Sequence, residues 1–134
     1  MPITVLLSDD NEMVRRVIRR LLDDEREIHV LAEAGSFSET IQMANQLNPQ
    51  VIVMDLHMKD DHRFSPTAFK SSLHQPDARI AAISIWKDEE TIRLAEQFGA
   101  ITLLDKAELA GTLIPTIKQL ASSEAPQNQS ISSA

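Results

Sequence analysis

Residues 51–55 read VIVMD, an unbroken apolar run closed by a carboxylate. A run this short, continuous and rich in β-branched side chains is a strand. Asn48-Pro49, just upstream, ends the element before it, because the residue preceding a proline is pushed out of the α region. A polar stretch from His57 to Ser65 follows. Outward from this strand the chain alternates. Ile3 to Leu7, Ile28 to Ala34, Arg79 to Ile85 and Ile101 to Leu104 are further short apolar runs. Between them lie segments with helical spacing. From Asn11 to Asp24, Val14, Val17, Ile18 and Leu21 recur at i, i+3, i+4 and i+7, one face of a helix with the arginines opposite. Ser36 or Ser38 can cap a helix running to about Asn48. Pro66 suits the first turn of a helix reaching about His74, and Gln75-Pro76-Asp77 turns the chain. Asp88 opens a helix to Phe98, with Gly99 as its stop. The last helix is expected to begin near Thr112, since Pro115 is tolerated in a first turn and breaks a helix interior. Leu113, Ile117 and Leu120 then share a face.

Five βα units in succession predict an α/β domain over residues 1–121, a parallel sheet with helices on both faces. Residues 122–134 are Ser, Gln, Asn, Pro and Ala with a single charge and one Ile, the composition of a flexible polar tail or linker stump. The length of 134 residues fits one domain able to bury a single core. The chain has no cysteine, which excludes disulfides, a thiolate nucleophile and cysteine-based metal sites, and fits a reducing compartment. No uncharged apolar run approaches the length of a membrane span, and the opening MPITVLLSDD is not a secretory signal. With 20 acidic and 13 basic side chains the net charge is −7, a field that repels nucleic acid. The basic run Arg15, Arg16, Arg19 and Arg20 has Glu12, Asp23 and Asp24 within helical reach, so it reads as a solvated face with ion pairs.

In such a fold ligands sit at the carboxyl ends of the strands. Those ends carry Ser8-Asp9-Asp10, Asp55, Ser84 and Asp105-Lys106. The carboxylates of Asp9, Asp10 and Asp55, the Ser84 hydroxyl and the Lys106 ammonium should therefore meet at one sheet edge. Clustered carboxylates repel one another unless a cation neutralises them. Oxygen-only ligands suit a hard ion, Mg²⁺ in particular. An aspartate so placed can act as a nucleophile toward phosphorus, with the metal and Lys106 balancing charge on the transferring group.

The segments LLSDDNEMVR, VIVMDLHM, AAIS and GAITLLDK resemble the receiver domain of bacterial two-component response regulators, the CheY-like group. The resemblance covers residues 1–121, and GSFSE with NPQVIVMDL looks most like the class that usually precedes a helix-turn-helix output domain. It implies a flavodoxin-like (βα)5 fold with strand order 2-1-3-4-5. It implies that Asp55 accepts a phosphoryl group from the phosphohistidine of a sensor histidine kinase. Asp10 would then be a direct Mg²⁺ ligand and Asp9 an acidic partner acting largely through water. His57 would complete the metal shell with its backbone carbonyl. Ser84 would be the switch hydroxyl and Lys106 the lysine that pairs with the phosphoryl oxygen. The family's setting is the bacterial cytoplasm, with a downstream effector, a second receiver or a transcriptional output domain as the other partner. Catalysis would be limited to the domain's own phosphorylation and dephosphorylation.

The chain departs from the family pattern at several points. Lys59 stands where proline is usual, and Asp60-Asp61-His62-Arg63 where a glycine is usual, so the loop after the third strand should differ in shape and charge. Ile85 and Trp86 follow Ser84 where small residues are common, and could narrow entry to the pocket. Leu103 takes the position of the usual aromatic switch on strand five. The five chemical positions are intact, so phosphorylation is expected with an atypical readout. A receiver-like interaction module whose output does not depend on phosphorylation is the alternative. Two other chemistries fit less well. A zinc site from His57 and His62 is conceivable, but His57 reads better as a loop residue. A haloacid-dehalogenase-type phosphatase would want an Asp where His57 stands, and the chain has no room for a cap domain.

Overall fold

The computed structural model describes residues 2–75, 77–122 and 132–133. Strands β1 (Ile3–Ser8), β2 (Ile28–Ala34), β3 (Val51–Asp55), β4 (Arg79–Ser84) and β5 (Ala100–Asp105) lie parallel in the order β2-β1-β3-β4-β5. A two-residue strand, β6 (Ser132–Ser133), pairs parallel with Thr102 and Leu103 on the outer edge of β5. The remainder of the tail expected over 122–134 lies outside the described residues, apart from Ser122. So does Pro76 of the expected turn.

β3 is buried at all five positions because both of its faces are covered. Its side chains alternate between two cores. Val51 and Val53 point to one layer, with Val5, Leu7, Ala81, Ile83 and Leu104. That layer is closed by α1 (Glu12–Asp23) through Ile18 and Leu22, and by α5 (Leu109–Ser122) through Leu113 and Ile117. Ile52 and Met54 point the other way, with Leu6, Ala82 and Leu103. Here α2 (Phe37–Leu47), α3 (Pro66–Ser72) and α4 (Glu89–Gln97) complete the layer with Phe37, Phe69 and Ala95, joined by Phe98 just after α4. Phe37 stacks on Phe98 with ring centroids 5.2 Å apart and meets Phe69 edge-on at 5.7 Å. Burying one such ring contributes roughly 2–3 kcal/mol.

Local chemistry sets the helix ends. Asn11 caps α1 by accepting from the Met13 and Val14 amides. Ser36, not Ser38, caps α2: its hydroxyl accepts from Glu39 N–H, while the Glu39 carboxylate accepts from the N–H of Gly35, just before the cap. Asn48, before Pro49, leaves the helix in the left-handed region at φ 50°. Gly99 takes φ 86° after α4.

Three expectations are corrected. Val17 is 56% exposed, whereas Leu22 is fully buried. The buried face of α1 runs through Val14, Ile18, Leu21 and Leu22, and Val17 lies about 100° from Ile18 around the helix axis. α5 begins at Leu109, not near Thr112, so Pro115 sits inside the helix. Starting early buries Leu109 on the face that carries Leu113 and Ile117. Pro115 lies on the exposed side, where the Gly111 carbonyl that loses its helical N–H partner can meet water. Finally, β4 ends at Ser84, and Ile85 turns out to solvent with 64% of its surface exposed.

Candidate functional site

The strand register brings the carboxyl ends of β1, β3, β4 and β5 to one line. Ser8 pairs with Met54, Asp55 with Ile83, and Ser84 with Asp105. Asp9 and Asp10 leave β1 directly above this line, and Lys106 leaves β5. Carboxylate oxygens of Asp9, Asp10 and Asp55 all lie within 4.8 Å of one another. Asp9 is 1% exposed and Asp55 6%, while Asp10 faces solvent. The ammonium of Lys106 reaches into the cluster, 2.8 Å from Asp9 Oδ2 and 3.5 Å from Asp55 Oδ2.

These groups fix one another's charge. Burial pushes the Asp55 carboxyl up from 3.8 to about 6; the neighbouring charge of Lys106 opposes this, and Asp9 and Asp10 add to it. Burial alone would lower the pKa of Lys106, but the hydrogen bond to Asp9 and the charges of Asp55 and Asp9 outweigh it and raise it. One lysine faces three carboxylates, so the cluster carries excess negative charge. All the donors are oxygen. Such a set fits a hard divalent cation, and the charge imbalance is what that cation would neutralise.

The other residues singled out in the sequence take distinct places. The backbone N–H of His57 donates to Asp55 Oδ1 at 3.3 Å, so the loop folds back on the carboxylate. The His57 ring is exposed and meets Trp86 edge-on, with centroids 5.9 Å apart. Ser84 is 1% exposed, and its hydroxyl accepts from the Trp86 N–H at 3.0 Å. Trp86 is 55% exposed and, with His57, lines the upper end of an open groove that runs along α4 past Asp88, Arg93 and Leu94. Ile85 and Trp86 follow Ser84 directly, and both side chains are exposed. Among the described residues the one group able to hold an ion is the three aspartates; neither His57 nor His62 joins it.

Two contributors escape sequence reasoning. Arg15 donates to the Asp9 backbone carbonyl at 2.6 Å and to Glu33 at 3.1 Å, tying the Asp9-Asp10 turn to α1 and β2. Helical spacing assigned this arginine to a solvated face. That holds for the i,i+4 pairs Arg16–Glu12 and Arg19–Asp23, but Arg15 turns inward. Asp60 accepts from the Phe37 and Ser38 amides at the start of α2, at 2.9 and 3.1 Å. No local motif signals either contact.

The chain matches the family described as response regulator receiver domain over residues 5–118. It is 30% identical over 122 residues to the transcriptional regulatory protein LiaR of Bacillus subtilis, which covers 91% of this chain and 57% of LiaR. It is 32% identical over 120 residues to a protein-glutamate methylesterase/protein-glutamine glutaminase of Carboxydothermus hydrogenoformans, covering 89% of this chain and 33% of that protein. The chain therefore spans only part of the length of these relatives. Its fold is similar to that of the non-phosphorylated receiver domain of RcsB from Escherichia coli, with a TM-score of 0.80 and 19% identity over 95% of this chain and all of that domain. The five-stranded order, the acidic strand ends and the extent of the family match agree: this chain belongs to the response regulator receiver domains of two-component signalling.

Proposed function

We propose that this receiver takes a phosphoryl group on Asp55 with Mg²⁺ bound at the acidic cluster, and that the phosphoryl state controls a partner or output domain. The observation that carries this reading is the meeting of Asp9, Asp10 and Asp55 with the Lys106 ammonium at one sheet edge. Asp9, Asp10, Asp55 and the backbone carbonyl of His57 would hold the ion. Mg²⁺ supplies positive charge opposite the phosphoryl oxygens when bound. The rest of the chemistry belongs to the chain. An Asp55 carboxylate oxygen attacks phosphorus. The bond from phosphorus to the donor's imidazole nitrogen breaks, and its electron pair stays on that nitrogen. Lys106 turns from Asp9 and Asp55 to an oxygen of the arriving group. The Ser84 hydroxyl exchanges its Trp86 N–H partner for a phosphoryl oxygen, which draws the β4–α4 turn toward the site.

The donor is a sensor histidine kinase. The relatives named as transcriptional regulators support a regulatory output in a bacterial cytoplasm, executed by an effector, a second receiver or an attached domain. The buried Leu103 cannot report through an aromatic rotation, so the readout runs through the Ser84–Trp86 turn and the adjoining face of α4.

Intact mass after incubation with acetyl phosphate and Mg²⁺ tests the proposal. One phosphoryl group should be gained by the wild type and by neither Asp55→Asn nor a chelated sample. A wild type that gains none, and that also fails to bind beryllofluoride, refutes it. Such a result would favour the phosphorylation-independent interaction module, for which exposed Ile85 and Trp86 offer an apolar contact.

A further inference from the structure

We infer that Asp60 is a positioning residue for the acidic cluster: its carboxylate ties the loop after β3 to the start of α2 and so holds the backbone of His57 in place. This rests on the Mg²⁺ and phosphoacceptor reading given above.

The loop has two pins in the core. Leu56 and Met58 are 1% and 2% exposed and pack into the layer under α2, α3 and α4. Their neighbours His57 and Lys59 face solvent. Asp60 continues the inward alternation, but its pin is polar. Oδ1 accepts from Phe37 N–H and Oδ2 from Ser38 N–H. These are the first two amides of an 11-residue helix, which have no partner within it. The helix start also favours a negative charge. Asp60 precedes a turn of its own, Asp61–Arg63, yet its side chain makes no capping bond there. The carboxylate is spent on α2, 22 and 23 residues away in sequence.

What this tie holds is the segment facing the phosphoacceptor. His57 lies between the pins, and its N–H donates to Asp55 Oδ1. From Leu56 to Ser65 there is neither proline nor glycine, so no residue sets the loop's φ in advance. A two-point hydrogen bond to a helix that is itself anchored by buried Phe37 provides that restraint. Groups that orient metal ligands from outside the coordination shell commonly govern affinity in this way.

The test compares Asp60→Ala, Asp60→Asn and Asp61→Ala with the wild type. Asp61 is an exposed neighbour, and its replacement removes the same charge from the same loop without loosening α2. Mg²⁺ is titrated against Trp86 fluorescence, and phosphorylation by acetyl phosphate is followed at saturating Mg²⁺. Asp60→Ala should weaken Mg²⁺ binding roughly tenfold, the low end for a partner outside the coordination shell. The phosphorylation rate at saturating Mg²⁺ should stay within about twofold, because the reacting groups are untouched. Asp60→Asn, which keeps one acceptor oxygen, should fall between, and Asp61→Ala should match the wild type. Hydrogen exchange at the Phe37 and Ser38 amides should quicken in Asp60→Ala. Folded Asp60 variants that bind Mg²⁺ like the wild type overturn the inference, and so does an equal loss in Asp61→Ala. If Asp60→Ala does not fold, Asp60→Asn decides by the same criterion. A wild type that binds no Mg²⁺ overturns the functional reading and this inference together; a wild type that is phosphorylated beside indifferent Asp60 variants overturns this inference alone.

Discussion

Replacing Asp55 by asparagine should stabilise the metal-free protein at pH 8 and leave it unchanged near pH 4. Burial raises the Asp55 carboxyl from 3.8 to about 6. The folded state therefore holds this proton more tightly than the unfolded chain does. Stability is highest while the group is protonated in both states, and falls as pH rises from about 4 through 6. A tenfold change in the acid constant corresponds to about 1.4 kcal/mol, so the full cost of ionising Asp55 in place is about 3 kcal/mol. Asparagine has nearly the same shape and carries no charge, and Lys106 keeps its contact with Asp9. Urea unfolding in EDTA, followed by circular dichroism at pH 4.5, 6 and 8, should show the variant's advantage growing from near zero to about 2–3 kcal/mol, with unchanged m. Adding Mg²⁺ at pH 8 should close the gap from the wild-type side, because an ion bound only to the folded state stabilises it by mass action. A variant no more stable than the wild type at pH 8, or an advantage equal at pH 4.5 and pH 8, would refute the reasoning.

Other perturbations have equally definite outcomes. Lys106→Met should leave the three carboxylates without their cation, lower stability at neutral pH, and make added Mg²⁺ more stabilising than in the wild type, as read by thermal melting. The raised pKa of Lys106 contributes stability below about pH 10.5 that is lost as pH rises through its folded value, so the wild type but not Lys106→Met should show this component in alkaline unfolding. Pro115→Ala should stabilise by about 1–2 kcal/mol in urea, since the restored helical N–H outweighs the lost stiffening of the unfolded chain. Phe37→Ala should cost about 3–5 kcal/mol, because the ring is fully buried against Phe69 and Phe98.

The parts of this molecule that were legible in the sequence are those with short-range causes. β3 could be read because a strand covered on both faces leaves a continuous apolar run. Ser36 and Asp88 could be read as caps because the oxygen and the amide it serves lie three residues apart. The candidate site was legible for a related reason. In a parallel sheet every strand points the same way, so residues that follow separate apolar runs must arrive at one edge. Asp9, Asp55, Ser84 and Lys106 are therefore brought together by topology before any side-chain contact is considered.

What failed to show depends on direction in space. Val17 and Leu22 are both apolar residues on an amphipathic helix, and only the roll of α1 against the sheet decides which is buried. The start of α5 does not follow the local rule about Pro115, because beginning at Leu109 buries that side chain on the helix's core face. Arg15 and Asp60 are the sharper cases. As residue types each belongs in a list of solvated charges. Each instead turns to backbone groups outside its own element: the Asp9 carbonyl for Arg15, the first amides of α2 for Asp60. Backbone donors and acceptors leave no mark on residue identity, so sequence pattern cannot announce them. Asp9 and Asp55 define what this site can bind, and partners of this hidden kind decide how firmly it is held.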